Sequence, residues 1–106
     1  MKPKYDTTKA DEMTNKHVII GITRLDKEDI IIERIQMHGN IIRIDPNKGV
    51  TILLEPSKEE YVLPPDLSAF HEAPPGEYRF TSTGEIVVNP DYMTTWTISA
   101  PKSENE

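Results

Sequence analysis

Apolar and polar residues alternate along most of the chain between residues 17 and 99. This period of two is typical of β-strands, because successive side chains of a strand point to opposite faces of its sheet. In six segments the alternation predicts a row of side chains that faces the core. The rows are Val18, Ile20 and Ile22; Val50, Ile52 and Leu54; Tyr61 and Leu63; Tyr78 and Phe80; Ile86 and Val88; Trp96 and Ile98. The pattern therefore predicts a mostly-β fold.

Turn-forming residues separate the predicted strands. Turns are expected at 26–29, 45–49, 82–85 and 89–91. Proline, asparagine and glycine recur in them, because proline presets φ while asparagine and glycine accept a positive φ. In the proline-containing linker after the third segment, Leu67 and Phe70 are three residues apart, which predicts one short helical turn near 65–70.

Residues 26–39 fit either a helix or a strand. In a helix, Asp26 would be the N-cap and Gly39 would follow the last turn. In a strand, the β-branched isoleucines at 30–32 are favoured, and the apolar spacing is poorly helical. We favour the strand, in which case Gly39 is expected to mark a bulge or a sharp bend.

The length of 106 residues fits one domain. Residues 1–16 are polar and charged without an apolar period, so we expect a disordered or loosely ordered arm there. The domain itself is expected over 17–99, and a flexible tail over 100–106. No stretch has the apolar length of a membrane span or of a signal peptide. The sequence therefore predicts a soluble, cytoplasmic protein with no membrane partner.

The segment 37–45 (MHGNIIRID) and the following segment 49–54 (GVTILL) form a glycine-containing strand and a hairpin. They resemble the bent central strand and hairpin of Sm-like and KOW-type small β-barrels. The resemblance implies a small bent-sheet β-barrel of five to seven short strands, with the helical turn near 65–70 as its one helical element. It also implies RNA as the ligand class, because these families bind RNA.

The C-terminal half shows a second resemblance, carried by LPPDL at 63–67, PPGEYR at 74–79, STGE at 82–85 and PDY at 90–92. These stretches are similar to a group of short bacterial proteins without an assigned activity. The resemblance implies a bacterial, cytoplasmic setting and brings no site residue with it.

The chain is acidic, with 18 acidic and 12 basic residues and a formal net charge of −6. The carboxylate surplus lies within 17–99, where its average field repels the phosphates of nucleic acid. Nucleic-acid binding is therefore disfavoured, although the small-barrel architecture keeps it as the alternative function. The absence of cysteine excludes disulfides, thiolate metal sites and thiol nucleophiles, and it fits a reducing compartment.

Residues that could carry catalysis do not cluster in the sequence. His17, His38 and His71 lack the spacing of chelating pairs, so we expect solvated histidines and no metal. Serines and threonines lie in turn contexts, where their hydroxyls bond the local backbone. No phosphate-binding loop, dinucleotide motif or nucleophile elbow occurs. We predict no catalytic site and no cofactor.

The segment 78–85 is dense in polar and aromatic groups and supplies two candidate binding residues, Arg79 and Glu85. Arg79 is expected to point outward from a hairpin. It would serve either as the anchor of a recognition edge or in a cross-strand ion pair with Glu77 or Glu85.

The segment 91–96 supplies two further candidates, Tyr92 and Met93, which are expected to be exposed and to offer an apolar contact to a partner. Trp96 is the one tryptophan of the chain and is in phase with Ile98. In a core this small, a tryptophan is more often the central packing residue than an interface anchor. We expect it in the core.

Several aliphatic side chains fall on the faces opposite the predicted core rows. They are Ile19, Ile31, Ile41, Leu53, Val62 and Val87. An open sheet face would be polar, so the second face is expected to be covered by the 64–76 linker, by a helix at 26–38 or by another subunit. The predicted function is a protein-interaction or regulatory module that binds a protein partner or associates with itself.

Overall fold

The computed structural model describes residues 7–81 and 83–99, and it confirms a mostly-β fold. Its elements are α1 (Thr7–Met13), β1 (His17–Leu25), β2 (Ile31–Asp45), β3 (Gly49–Glu55), β4 (Glu60–Leu63), the 3-10 helix η1 (Leu67–Ala69), β5 (Phe70–Glu72), β6 (Glu77–Arg79), β7 (Ile86–Val88) and β8 (Tyr92–Ser99). These ranges contain eight strands rather than five to seven, and the strand without a counterpart in the sequence pattern is the three-residue β5.

Six strands form one sheet in the order β4-β3-β2-β1-β8-β5, and β6 and β7 form a separate two-stranded hairpin. The larger sheet curls into a half-barrel. Strands β1 to β4 pair antiparallel in sequence order, whereas β8 pairs parallel to β1. The central strand β1 therefore lies between the second strand of the chain and the last one.

The strand interpretation of residues 26–39 is correct for most of that segment, since β2 begins at Ile31. Gly39 lies where the β2 backbone passes closely over β3, and a Cβ there would lie 2.2 Å from the carbonyl oxygen of Leu53. The bulge itself falls later, between Ile41 and Arg43. It shifts the phase of β2, so that Ile41 and Ile44 both lie against the core.

The concave side of the sheet holds the main core. Its buried members are Ala10, Met13, Val18, Ile20, Ile22, Ile41, Val50, Ile52, Leu63, Leu67, Phe70 and Tyr92. The predicted core rows of β1 and β3 are confirmed at Val18, Ile20 and Ile22 and at Val50 and Ile52. The prediction that Ile41 faces away from the core is wrong, because the β2–β3 register pairs it with the buried core residue Ile52.

A second, smaller core covers the opposite face of the sheet. Ile19 of β1 packs there with Phe80 and Val87, and Tyr78 is half-buried beside them. The covering element is thus the β6–β7 hairpin, which was not among the three covers that the sequence suggested. Because Val87 faces inward, the predicted core row of β7 is wrong, and its neighbours Ile86 and Val88 are exposed.

The 3-10 helix η1 confirms the predicted helical turn near 65–70. The Asp66 side chain caps it by accepting a hydrogen bond from the Ser68 backbone N–H at 3.2 Å. This turn places Leu67 and Phe70 in the main core. Trp96 packs against the main core, as predicted, with its ring centroid 6.3 Å from that of Phe70, but it is only partly buried and lies at the margin of the core rather than at its centre.

Residues 7–16 differ from the loosely ordered arm that their polarity suggests. Ala10 and Met13 are three residues apart, so they share the face of α1 that packs on the core. The helix ends at Met13, and Asn15, two residues later, has a φ of 70°, in the left-handed region typical of the residue after a helix C-terminus. The Asn15 N–H then donates to the carbonyl oxygen of Ile41 at 2.7 Å. Residues 1–6 and the predicted tail at 100–106 lie outside the described ranges.

We expect Met13→Ala to lower the free energy of unfolding by about 2 kcal/mol, since the fully buried side chain leaves a cavity at the helix contact. Urea denaturation measures the change. Asp11→Ala, on the exposed side of the same helix, is the matched control and should change stability by less than about 0.5 kcal/mol. Equal free energies of unfolding for the two variants would contradict the packing of α1 against the main core.

Candidate interaction surfaces

The β1–β2 hairpin ends in three consecutive exposed isoleucines, Ile30, Ile31 and Ile32, which we call the isoleucine tip. Their exposed fractions are 58%, 49% and 55%. The turn before them is shaped by Asp26, whose carboxylate accepts hydrogen bonds from the N–H groups of Glu28 at 2.8 Å and Ile30 at 3.0 Å. The isoleucine tip is thus presented on a defined hairpin end.

The isoleucine tip is exposed because the hairpin extends past its neighbours. Strand β3 pairs with β2 only from His38 onward, so the first half of β2 has β1 as its one described neighbour. A register shift between Arg24 and Leu25 lets two β2 residues oppose one residue of β1 near the tip. An ion pair of 2.8 Å between Arg24 and Glu33 flanks the tip, and both side chains are about half exposed.

The outer face of the β6–β7 hairpin is a second exposed surface, made of Glu77, Arg79, Ile86 and Val88. Arg79 pairs across the hairpin with Ile86, and Glu77 with Val88. The predicted outward position of Arg79 is correct, since the residue is exposed. Among residues 7–81 and 83–99 its guanidinium has no ion pair, so the expected pairing with Glu77 or Glu85 does not form.

Glu85 instead bonds to the main sheet, as the last member of a hydrogen-bonded row that we call the histidine chain. His17 Nδ1 donates to Asn40 Oδ1 at 2.9 Å, and His17 Nε2 lies 2.8 Å from His38 Nδ1. His38 Nε2 then donates to Glu85 Oε2 at 3.1 Å. The histidine chain therefore connects β1, β2 and the turn before β7.

The strand register explains why the two histidines meet. His17 is paired with Asn40, and Ile19 is paired with His38, so all four side chains lie on one face of the sheet. The edge of Phe80 closes this group, with its ring centroid 5.6 Å from that of His38. The expectation of solvated histidines is wrong for this pair. The signal in the sequence was the predicted 26–29 turn, since folding the chain back at that turn aligns the two positions.

The hydrogen bonds of the histidine chain link strands β1 and β2 of the main sheet to the turn before β7. Direct contact of the two ring nitrogens leaves no room for an ion between them. Within the described ranges, no group of three or more histidine and acidic side chains is placed to hold a metal.

The neighbouring carboxylate of Glu55, which is paired with His38 in the β2–β3 register, carries a shifted pKa. Two hydrogen bonds of 2.6 Å from Lys58 lower the pKa of Glu55 below its usual range, and the nearby histidines add to the effect. Because Glu55 is held by Lys58, it does not join the histidine chain.

Tyr92 contradicts the expectation of an exposed contact residue, because it is buried in the main core. Strand β8 begins at Tyr92 and pairs it with Val18, so its ring faces inward in the same row as Thr94. Burial raises the pKa of the Tyr92 hydroxyl, and the carboxylates of Glu12, Glu72 and Asp91 raise it further. Its edge lines a shallow polar cleft of about 490 Å³. Met93 lies on the opposite face, where it is half-buried and paired with Ile19.

The structure therefore separates the four residues that the sequence proposed as a binding site. Arg79 is exposed on the hairpin face, Glu85 belongs to the histidine chain, Tyr92 is in the core and Met93 is half-buried. The isoleucine tip was missed by the sequence analysis, which placed Ile31 on the second face of the sheet and expected that face to be covered. None of the described helices has the length and apolar character needed to cross a membrane.

The chain matches no protein-family model, no curated protein and no solved structure.

Proposed function

We propose that this chain is a non-catalytic protein-interaction module that binds a partner protein through the isoleucine tip. The observation that supports it is the run of three neighbouring isoleucines, each about half exposed, at the end of a structured hairpin. Single exposed aliphatic residues are common on protein surfaces, but consecutive ones are rare unless a partner covers them. Three side chains at the end of a hairpin are few enough to enter a groove on the partner protein.

The affinity available from the isoleucine tip is substantial. Full burial of an isoleucine contributes about 1.5–3 kcal/mol, so covering the exposed half of three side chains contributes roughly 3 kcal/mol. Each 1.4 kcal/mol changes a dissociation constant about tenfold. The tip therefore accounts for a difference of about a hundredfold in Kd.

The charges around the isoleucine tip indicate the kind of groove that fits it. Glu28 and Asp29 are exposed in the turn beside the isoleucines, and the whole chain has a net charge of −6. A partner with an apolar groove and a basic rim would match both the tip and the overall field. The bacterial, cytoplasmic setting belongs to this proposal, supported by the resemblance of the C-terminal half and by the absence of cysteine.

The triple variant Ile30→Thr, Ile31→Thr, Ile32→Thr tests the proposal. Threonine keeps the β-branched shape that a strand favours but removes most of the apolar surface, so folding should be unchanged while partner binding falls at least tenfold. The measurement is affinity capture from native lysate with quantitative mass spectrometry, followed by a Kd for the purified partner.

Val62→Thr is the matched control, because Val62 is 55% exposed but lies on the edge strand β4, away from the β1–β2 hairpin. The control should capture the same partner as the unmodified chain. Equal capture by the triple variant, or no partner captured by the unmodified chain, would refute the proposed role of the isoleucine tip.

A further inference from the structure

The second half of β8 is an open edge of the main sheet. Strand β8 pairs with β1 from Tyr92 to Ser99, whereas β5 covers its other side only from Tyr92 to Thr94. Among the described residues, the segment 95–99 therefore has no main-chain partner on that side. Unpaired N–H and C=O groups along an edge can template a further strand.

This edge lacks the features that usually block edge-to-edge pairing. Its residues are Thr95, Trp96, Thr97, Ile98 and Ser99, with no charge and no proline. Natural edge strands are commonly protected by lysine, by proline or by being very short. The opposite edge of the same sheet, β4, is only four residues long and begins with Glu60. The β8 edge is the less protected of the two.

The sequence of the β8 edge is complementary to itself. In an antiparallel pair of two copies related by a two-fold axis at Thr97, Thr97 meets its own counterpart. Trp96 then lies opposite Ile98 of the second copy, and Thr95 lies opposite Ser99 of the second copy. A two-fold axis perpendicular to the sheet keeps each side chain on its own face, so Trp96 and Ile98 stay together on the core side.

Each of these cross-strand pairs is favourable. Aromatic residues opposite β-branched ones, and threonine opposite threonine or serine, stabilise antiparallel pairs, and no like charges face each other. Ile98 is 45% exposed in the single chain, so it has apolar surface left to bury. Trp96 Nε1 is buried without a hydrogen-bond partner among the described residues, and its ring lies beside Phe70 at this edge.

We propose that a second copy of this chain pairs antiparallel with the β8 edge and forms a symmetric dimer with one continuous sheet. The observation that carries it is the self-complementary register centred on Thr97. The dimer uses a different surface from the isoleucine tip, so it goes beyond the proposed partner-binding role and does not depend on it.

Substitutions at the symmetry axis test this dimer directly. Thr97 is exposed, so Thr97→Lys and Thr97→Glu should both fold normally. Each variant alone places two like charges opposite each other at the axis, and we expect its dimer dissociation constant to rise at least tenfold. An equimolar mixture of the two variants pairs lysine with glutamate and should restore dimerisation. Sedimentation velocity and light scattering over a concentration series measure all three.

Three further measurements identify the surface through which the dimer forms. The one tryptophan lies in the proposed interface, so its fluorescence should change on dilution with the same midpoint as the mass. The control Val62→Lys adds a charge to the β4 edge and should leave the dimer intact. The triple threonine variant of the isoleucine tip should also remain dimeric, which separates this proposal from the proposed function.

Four outcomes would overturn the proposal. They are a monomer at millimolar concentration, a dimer insensitive to Thr97→Lys, a charge mixture that fails to restore pairing, and slow hydrogen exchange, in a monomer, of those 95–99 amides that point away from β1. The last result would show that another segment of the same chain occupies the edge.

Discussion

Replacing Gly39 by alanine should destabilise the protein by about 3 kcal/mol or more, because the new methyl group would collide with backbone atoms. A Cβ at this position would lie 2.2 Å from the carbonyl oxygen of Leu53 and 2.8 Å from Cα of Leu54. Neither atom belongs to a side chain that could rotate away, so the β2–β3 pairing must shift. At roughly 4–8 °C per kcal/mol for a small domain, the melting temperature should fall by about 12–24 °C.

Gly21→Ala is the matched control for this experiment. Gly21 lies in the middle of β1, where a Cβ would make an ordinary contact of 3.5 Å with the Cγ2 methyl of Thr95. The alanine should change stability by less than about 1 kcal/mol, since it also restricts the unfolded chain. Thermal unfolding followed by circular dichroism compares the two. A Gly39→Ala variant as stable as Gly21→Ala would rule out the close approach of β2 and β3.

Phe70→Ala should be the most damaging truncation in the main core, with a loss of about 4 kcal/mol in the free energy of unfolding. The Phe70 side chain is fully buried where η1 passes into β5, and it packs against the edge of Trp96. Its carbonyl oxygen also accepts a 2.9 Å hydrogen bond from Lys9 Nζ of α1. The ring therefore fills the volume where α1, η1 and β8 meet.

Urea denaturation gives the size of this loss, and the fluorescence of Trp96 gives its location. The conservative variant Phe70→Leu keeps most of the apolar volume and should cost less than about 2 kcal/mol. If Phe70→Ala is no more harmful than Phe70→Leu, the aromatic ring is not the centre of the core. An unchanged fluorescence spectrum in both variants would contradict the contact between Phe70 and Trp96.

The period-two pattern predicts the strands well because alternation of side chains is a property of the strand backbone. It does not predict which side chains face the core where the phase shifts or where every residue of a strand is apolar. In β1 the pattern runs without interruption, and Val18, Ile20 and Ile22 are all buried. In β7 the three residues are all aliphatic, so alternation alone could not choose the inward one. The packing of Val87 against Ile19 makes that choice, and it depends on a contact between distant parts of the chain.

Helix α1 shows a different limit of the sequence pattern. A seven-residue helix has too few positions to display an apolar period, and isolated helices of this length are unstable in water. Its order comes from the burial of Ala10 and Met13 in a core that the sheet provides. Local composition therefore indicates a loose arm, while the tertiary contact produces a packed helix.

The candidate binding residues were predictable only as far as local geometry decides their exposure. Arg79 points outward because its neighbour Tyr78 points inward on a short hairpin strand. Tyr92 was expected to be exposed, but β8 begins at Tyr92, and the start of a strand fixes which side chains enter the core. The meeting of His17 and His38 depends on the register of two paired strands.

The parallel pairing of β1 with β8 has a consequence for how the protein is made. The N-terminal ends of these strands meet where the His17 backbone N–H donates a hydrogen bond to the Asp91 carboxylate, and these two residues are 74 positions apart along the chain. Strands β1 to β4 can fold back on one another as soon as each is synthesised, but the central strand β1 gains its second neighbour only after residues 92–99 have been made. Until then one edge of β1 is unpaired on the nascent polypeptide, and its free N–H and C=O groups are open to pairing with a strand of another chain.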